Sequence, residues 1–148
     1  MNLQTNKFMQ TQTLENPSAK IVPVNDVAEL IDREIHAKTL EQINVLAREY
    51  EIRNPSEVAL FLRDNTFLLD LLEEIPSKLR KFFGGKSKFA VELLSEPEFP
   101  SSREIFVLVL TEENAEQARN KMDKFDEKWW LKNLDKARCK LNVSLEYV

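Results

Sequence analysis

Few side chains here have the type and spacing to do chemistry. His36 is the only histidine and Cys139 the only cysteine. A general base or metal ligand needs partners, and one histidine cannot make a His-rich site. His36 therefore reads as a surface residue beside an apolar helical stripe. Cys139 would need a partner base or a helix N-terminus to become a nucleophile. Arg138 and Lys140 flank it, but no histidine lies near it in sequence, so it reads as a plain semi-buried thiol. Asp123, Asp126 and Glu127 place three carboxylates on neighbouring helix positions, which could hold a hard cation or serve a metal-dependent hydrolase. Lys121, Lys124 and Lys128 interleave with them, so solvated ion pairs along a helix are the simpler reading.

The one basic run is Lys78, Arg80, Lys81, Lys86 and Lys88, interleaved with Phe82, Phe83 and Phe89 around Gly84-Gly85. Cations with aromatics can grip phosphate or a single strand. Phenylalanines at a helix end and a strand start serve a core more often. With only two glycines, neither GxGxxG nor a P-loop can occur; GxSxG, HExxH and an EF-hand loop are absent too. No catalytic, cofactor or metal residue is assigned. Trp129 and Trp130 point about 100° apart on a helix. Trp129 continues the Ala118, Met122, Phe125 stripe into the core, which leaves Trp130 as the exposed ring and a candidate partner contact, with Tyr147 the other.

The elements that must position these residues follow from periodicity. Residues 1–24, rich in Gln, Thr and Asn, read as a flexible tail, with Ile21-Val22 docking on the body. Residues 25–148 read as one α+β domain, a helical half 25–83 and a ββαβ half 86–148. Asp26 with Glu29 suggests a capping box, and a second at Thr39 and Gln42 suggests a break near Lys38. Val27, Ile31, Ile35, Ile43, Leu46 and Tyr50 share a helical face. Asn54-Pro55 restarts a helix as cap and first residue. Another opens at Asn65, and Pro76 is expected to kink or end it because it has no N–H. Gly84-Gly85 stops the last turn.

Period two then takes over. Phe89, Val91 and Leu93 line one face of a strand, and Leu141, Val143, Leu145 and Tyr147 line another. Between them, Ile105–Leu110 is apolar at every position, which predicts a central strand covered on both faces, the second face by the N-terminal helices. The first two strands should be antiparallel neighbours. The last, returning after a helix opened by Thr111, should lie parallel on the other flank of the second, leaving an edge through which a second copy or another chain could pair.

The composition is that of a soluble globular protein: 148 residues, 43% apolar, 31% charged, net charge −4. Residues 1–74 carry 7 Lys/Arg against 13 Asp/Glu, and 75–148 carry 14 against 12, which gives no general attraction to nucleic acid or anionic lipid. A single cysteine and no apolar leader or span point to the cytoplasm.

The segments FLRDNTFLLDLLEEIPSKLRKFF, VELLSEPEFPSSREIFVLVLT and MDKFDEKWWLKNLDKARCKLNVSLEY resemble a family of short uncharacterised proteins found mainly in cyanobacteria. The resemblance covers roughly Pro55 to Val148 and rests on Glu96-Pro97-Glu98, Phe125-Asp126 with Trp129-Trp130, and Leu141 to Tyr147. It implies that the C-terminal block is one unit, and it brings no activity, ligand or site residue with it. Small proteins of this kind suggest an antitoxin-like partner. Taken together, the sequence predicts a non-enzymatic, cofactor-free cytoplasmic protein that binds protein partners or itself. Nucleic-acid binding through 78–88 is the alternative.

Overall fold

The computed structural model describes residues 24–148 and, among these, the side chains of all but 24–26, 35 and 100. The chain divides into two compact units, one ending at Ile35 and one spanning His36–Val148. The expected tail lies outside the described residues except for Val24, which begins helix α1 (Val24–Leu46). In the first unit, Val27, Leu30 and Ile31 are exposed on this helix. α1 runs through the break expected near Lys38.

The second unit is α+β, with a mixed sheet of four strands rather than three: β1 (Tyr50–Ile52), β2 (Lys88–Glu96), β3 (Phe99–Thr111) and β4 (Leu141–Tyr147), in the order β1-β2-β3-β4. β2 and β3 are antiparallel, and β3 and β4 are parallel, as the periodicity predicts. β1 is the addition. It pairs in parallel with β2, Tyr50 opposite Phe89 and Ile52 opposite Val91. Tyr50, expected on a helix, therefore begins a strand.

Between these strands run α2 (Pro55–Asp64), α3 (Leu69–Phe83) and α4 (Ala115–Phe125). Asn54 precedes α2 as expected, but with φ 49° and no side-chain cap bond. It starts the helix by tolerating the left-handed region, as Asn does more readily than most residues. The cap of α4 is Asn114, whose Oδ1 accepts from the Gln117 N–H at 2.9 Å, while Thr111 Oγ1 accepts from Glu113 N–H at 3.0 Å just before it. Gly84, at φ 103°, ends α3 in a conformation that side chains disfavour.

Phe89, Val91, Ile105, Val107, Val109, Leu141 and Val143 bury one face of the sheet in a single core with Val58, Leu62, Leu72, Ile75, Leu79 and Phe125 of the three helices. Since α2 and α3 join this core with α4, they do not supply the second layer expected over β3. On the other face Phe106, Leu108 and Leu110 remain only half-buried. There Arg53, just past β1, reaches across the sheet. Its guanidinium donates to Glu92 Oε1 on β2 at 3.0 Å and bidentately to Glu146 on β4 at 2.8 and 2.6 Å. The only residue of β2 on that face between Lys88 and Glu92 is Ala90, too short to obstruct this span. The two carboxylates hold the Arg53 proton more tightly than usual, Glu146 above all, and Arg53 holds the Glu146 carboxyl below its ordinary range.

Pro76 neither ends nor interrupts α3, which continues to Phe83. Its missing N–H would have bonded the carbonyl of Leu72 four residues back. The buried Tyr50 hydroxyl donates to that carbonyl at 2.7 Å. Strand β1 thus supplies the hydrogen bond that the helix cannot make for itself, and burial pushes the Tyr50 phenol well up from its ordinary value.

Candidate functional site: the free edge of β4

Among the described residues, β4 has a strand neighbour on one side only. The Ile105 N–H donates to the Lys140 carbonyl at 2.8 Å, and the Val148 N–H to the Thr111 carbonyl at 3.0 Å. With the parallel register of Ile105 to Leu141 and Thr111 to Tyr147, this assigns the backbone groups of the even residues, 140 to 148, to β3. Those of Leu141, Val143, Leu145 and Tyr147 point to the open edge. The Val143 N–H is met there by the adjacent Asn142 Oδ1 at 2.9 Å. The N–H groups of Leu145 and Tyr147 remain on offer to another strand.

A groove of about 420 Å³ opens at the start of this edge. Its lining includes Leu141, Asn142 and Val143 of β4, Glu104 of β3, and Asp126, Trp130, Leu131 and Leu134 from the segment after α4. That segment is not a continued α-helix. Asp126–Trp130 winds as a π-helical turn, closed by the Leu131 N–H on the Asp126 carbonyl, five residues back. A short α-helical turn, Leu131–Asn133, and a 3-10 turn, Leu134–Ala137, follow. Arg138 and Cys139, at φ 48° and 61°, then turn the chain into β4.

The π turn corrects the tryptophan assignment. At α-helical spacing Trp129 follows Phe125 on the same face. With one residue more per turn, Trp130 does. The Trp130 ring is 3% exposed and stacks on Phe125 at 6.5 Å and 12°, whereas Trp129 is half-buried. Trp130 therefore lies at the base of the groove and is not an exposed ring. The exposed apolar residues are Leu131 and Leu134, at 61% and 45%, and farther along β4 Tyr147 at 49%. Tyr147 thus stands at the surface of an edge strand.

The groove's charged lining is acidic. Neither Glu104 nor Asp126 makes an ion pair or side-chain hydrogen bond among the described residues. Partial burial, then the charge of Asp123, raises the Asp126 carboxyl above its ordinary range. Asp123 and Glu127 are exposed, and no three metal-binding side chains among the described residues gather to hold a cation. Cys139 is exposed, not semi-buried, and no hydrogen bond joins it to His36, itself exposed on α1.

The basic run is dispersed. Lys78 lies over the Trp129 ring at 5.9 Å. Arg80 pairs with Glu49 at 3.0 Å and covers Phe89. Lys81, Lys86 and Lys88 are exposed, but Phe89 is buried and Phe82 and Phe83 pack against the core, so no ring beside them is free to stack a base. The free edge of β4 was expected from the strand order, but Glu104, Leu131 and Leu134 carry no local sequence signal as a site. Glu104 merely precedes an apolar run, and the two leucines look like helix positions. Among the described residues no helix is long and apolar enough to cross a membrane. The chain matches no family model, and no curated protein or solved structure is significantly similar to it.

Proposed function

We propose that this chain is a non-enzymatic protein-binding module that takes up an extended segment of a partner along the free edge of β4. One observation carries the reading: a seven-residue strand hydrogen-bonded on one side only among the described residues, with the Leu145 and Tyr147 amides directed outward along an edge that has exposed Leu131 and Leu134 at its start and exposed Tyr147 at its end. Adding a strand there would satisfy backbone groups and cover apolar side chains together. A lone exposed thiol suits a reducing, cytoplasmic setting. An antitoxin-like role is the case in which the bound segment belongs to a toxin.

The test removes the edge without disturbing the sheet. Tyr147→Pro deletes an outward N–H and no β3–β4 hydrogen bond. Affinity capture from a native extract with the wild-type chain should recover a stoichiometric protein that Tyr147→Pro loses. In the captured complex the Leu145 and Tyr147 amides should become protected from hydrogen exchange. Capture insensitive to the substitution, or amides that stay fast-exchanging in the complex, would refute the proposal.

A further inference from the structure

We infer that the segment bound along β4 is an apolar and basic stretch of a partner protein. It would set aliphatic side chains against Leu131 and Leu134 and a lysine or arginine at the carboxylates of Glu104 and Asp126. The inference rests on the β4 edge as the docking site and specifies what docks there.

Charge complementarity carries it. The groove beside the edge is walled by two carboxylates, neither with a cationic partner among the described residues. Lys124 and Lys128 flank Asp126 and Arg103 precedes Glu104, yet none makes an ion pair with either carboxylate, and the cations at the turn into β4 are directed elsewhere. Arg138 stacks over the Phe67 ring at 4.3 Å and with Lys136 lines a separate groove. Lys140 lines another with Phe61 and Arg103. Among the described residues no ion pair neutralises this groove, and Asp126 sits where partial burial and Asp123 already resist its ionisation. An incoming cation favours the ionised carboxylate and so offsets both effects.

Geometry supplies the rest. Side chains alternate across an added strand, so residues two apart would face the leucines and those between them the other side. The groove wraps the start of β4, with Leu141 and Val143 from the core face and Glu104 and Asn142 from the open face. An alternating apolar and basic segment fits both sides. At about 420 Å³ the groove lies within the roughly 300–1,000 Å³ range of ligand pockets, which leaves room for side chains of such a segment.

The experiment uses the full chain, isotope-labelled for NMR, and two synthetic probes of equal length, an alternating Lys-Val peptide and an alternating Glu-Val peptide. The Lys-Val peptide should shift the Leu145 and Tyr147 amides and the Trp130 indole and weaken as salt rises. Its affinity should fall roughly five- to tenfold in Asp126→Asn with Glu104→Gln. It should be unchanged in Glu57→Gln with Glu73→Gln, which removes exposed carboxylates of α2 and α3 that are not part of the groove's lining. The Glu-Val peptide should not bind. Equal binding of both peptides, or Lys-Val binding indifferent to Asp126→Asn with Glu104→Gln, overturns the inference. So does binding to neither while capture from extract stays sensitive to Tyr147→Pro, and in that case the edge reading survives. A dimer by light scattering, with the Leu145 and Tyr147 amides protected without peptide, makes a second copy the occupant and also overturns it.

Discussion

Replacing Tyr50 with Phe removes one oxygen atom and tests how β1 and α3 are joined. The hydroxyl lies 2.7 Å from the Leu72 carbonyl in the core, on a side chain 4% exposed. A typical hydrogen bond contributes a net of about 0.5–1.5 kcal/mol. Here the acceptor also lacks the helical donor that position 76 would normally provide, so the deletion should cost about 1–3 kcal/mol, the range for a buried group left unsatisfied. The decisive quantity is the coupling to Pro76. Pro76→Ala restores an N–H to the helix, and on that background Tyr50→Phe should cost about 0.5 kcal/mol or less, a coupling of roughly 1 kcal/mol or more. The Pro76→Ala change alone has no secure sign, because helix propensity, packing and chain stiffness all change. The cycle cancels those terms. Urea unfolding followed by tryptophan fluorescence measures all four proteins. Equal costs of Tyr50→Phe with Pro and Ala at 76 would show that the hydroxyl does not replace the missing helical bond. The phenol adds a pH signature. Its folded-state pKa is raised, so its contribution is complete below the unfolded value of about 10 and is lost as pH rises from there toward the folded value. Tyr50→Phe should flatten that alkaline decline.

Four further outcomes are expected. Trp130→Ala should cost about 3–5 kcal/mol and Trp129→Ala distinctly less in denaturant unfolding, with the reverse order contradicting the π turn. Arg53→Met should destabilise at neutral pH, and less so in high salt. Because Arg53 depresses the Glu146 pKa, that contribution is present above the unfolded value of about 4.3 and lost as pH falls through the folded one; a loss of stability that persists in acid would contradict it. Asp126 has a raised pKa, so its ionised form is disfavoured by folding. Asp126→Asn should raise Tm near pH 7 and lose that gain below about pH 4, the unfolded value, whereas an equal gain at both pH values would rule this out. Single-stranded DNA should bind weakly at most, and Lys81→Glu should change little beyond a salt-screened surface effect, as fluorescence anisotropy would report.

β2 and β4 were legible because period two is imposed by one buried face, which Phe89, Val91, Val107 and Val143 share, and β3 because its unbroken apolar run is a strand's length. β1 was not. Tyr50 follows Ile43 and Leu46 at helical spacing, yet Tyr50–Ile52 become a strand only because β2 offers them a parallel edge, a long-range cause. Pro76 misled for a similar reason, since its remedy comes from Tyr50, distant in sequence. The tryptophan order depended on one extra residue in a helical turn, invisible to a stripe drawn at 3.6 residues. Cover over both faces of β3 was inferred from apolar run length. Phe106, Leu108 and Leu110 instead lie half-buried on the face that Arg53, Glu92 and Glu146 span. Of the candidate site, the edge position of β4 followed from the strand order, whereas alternation grouped Tyr147 with Leu141, Val143 and Leu145 on the apolar face and gave no sign of its exposure. The acidic groove followed from neither, because Glu104 and Asp126, distant in sequence, line one groove only through the tertiary fold.

Residue-resolved hydrogen exchange on the isolated chain tests the central claim about β4 most directly. The edge account predicts fast exchange at Leu145 and Tyr147, with slow exchange at Ser144 and Glu146, whose N–H groups face β3. Protection at all four in a monomer would mean that this edge is already closed and would contradict the account.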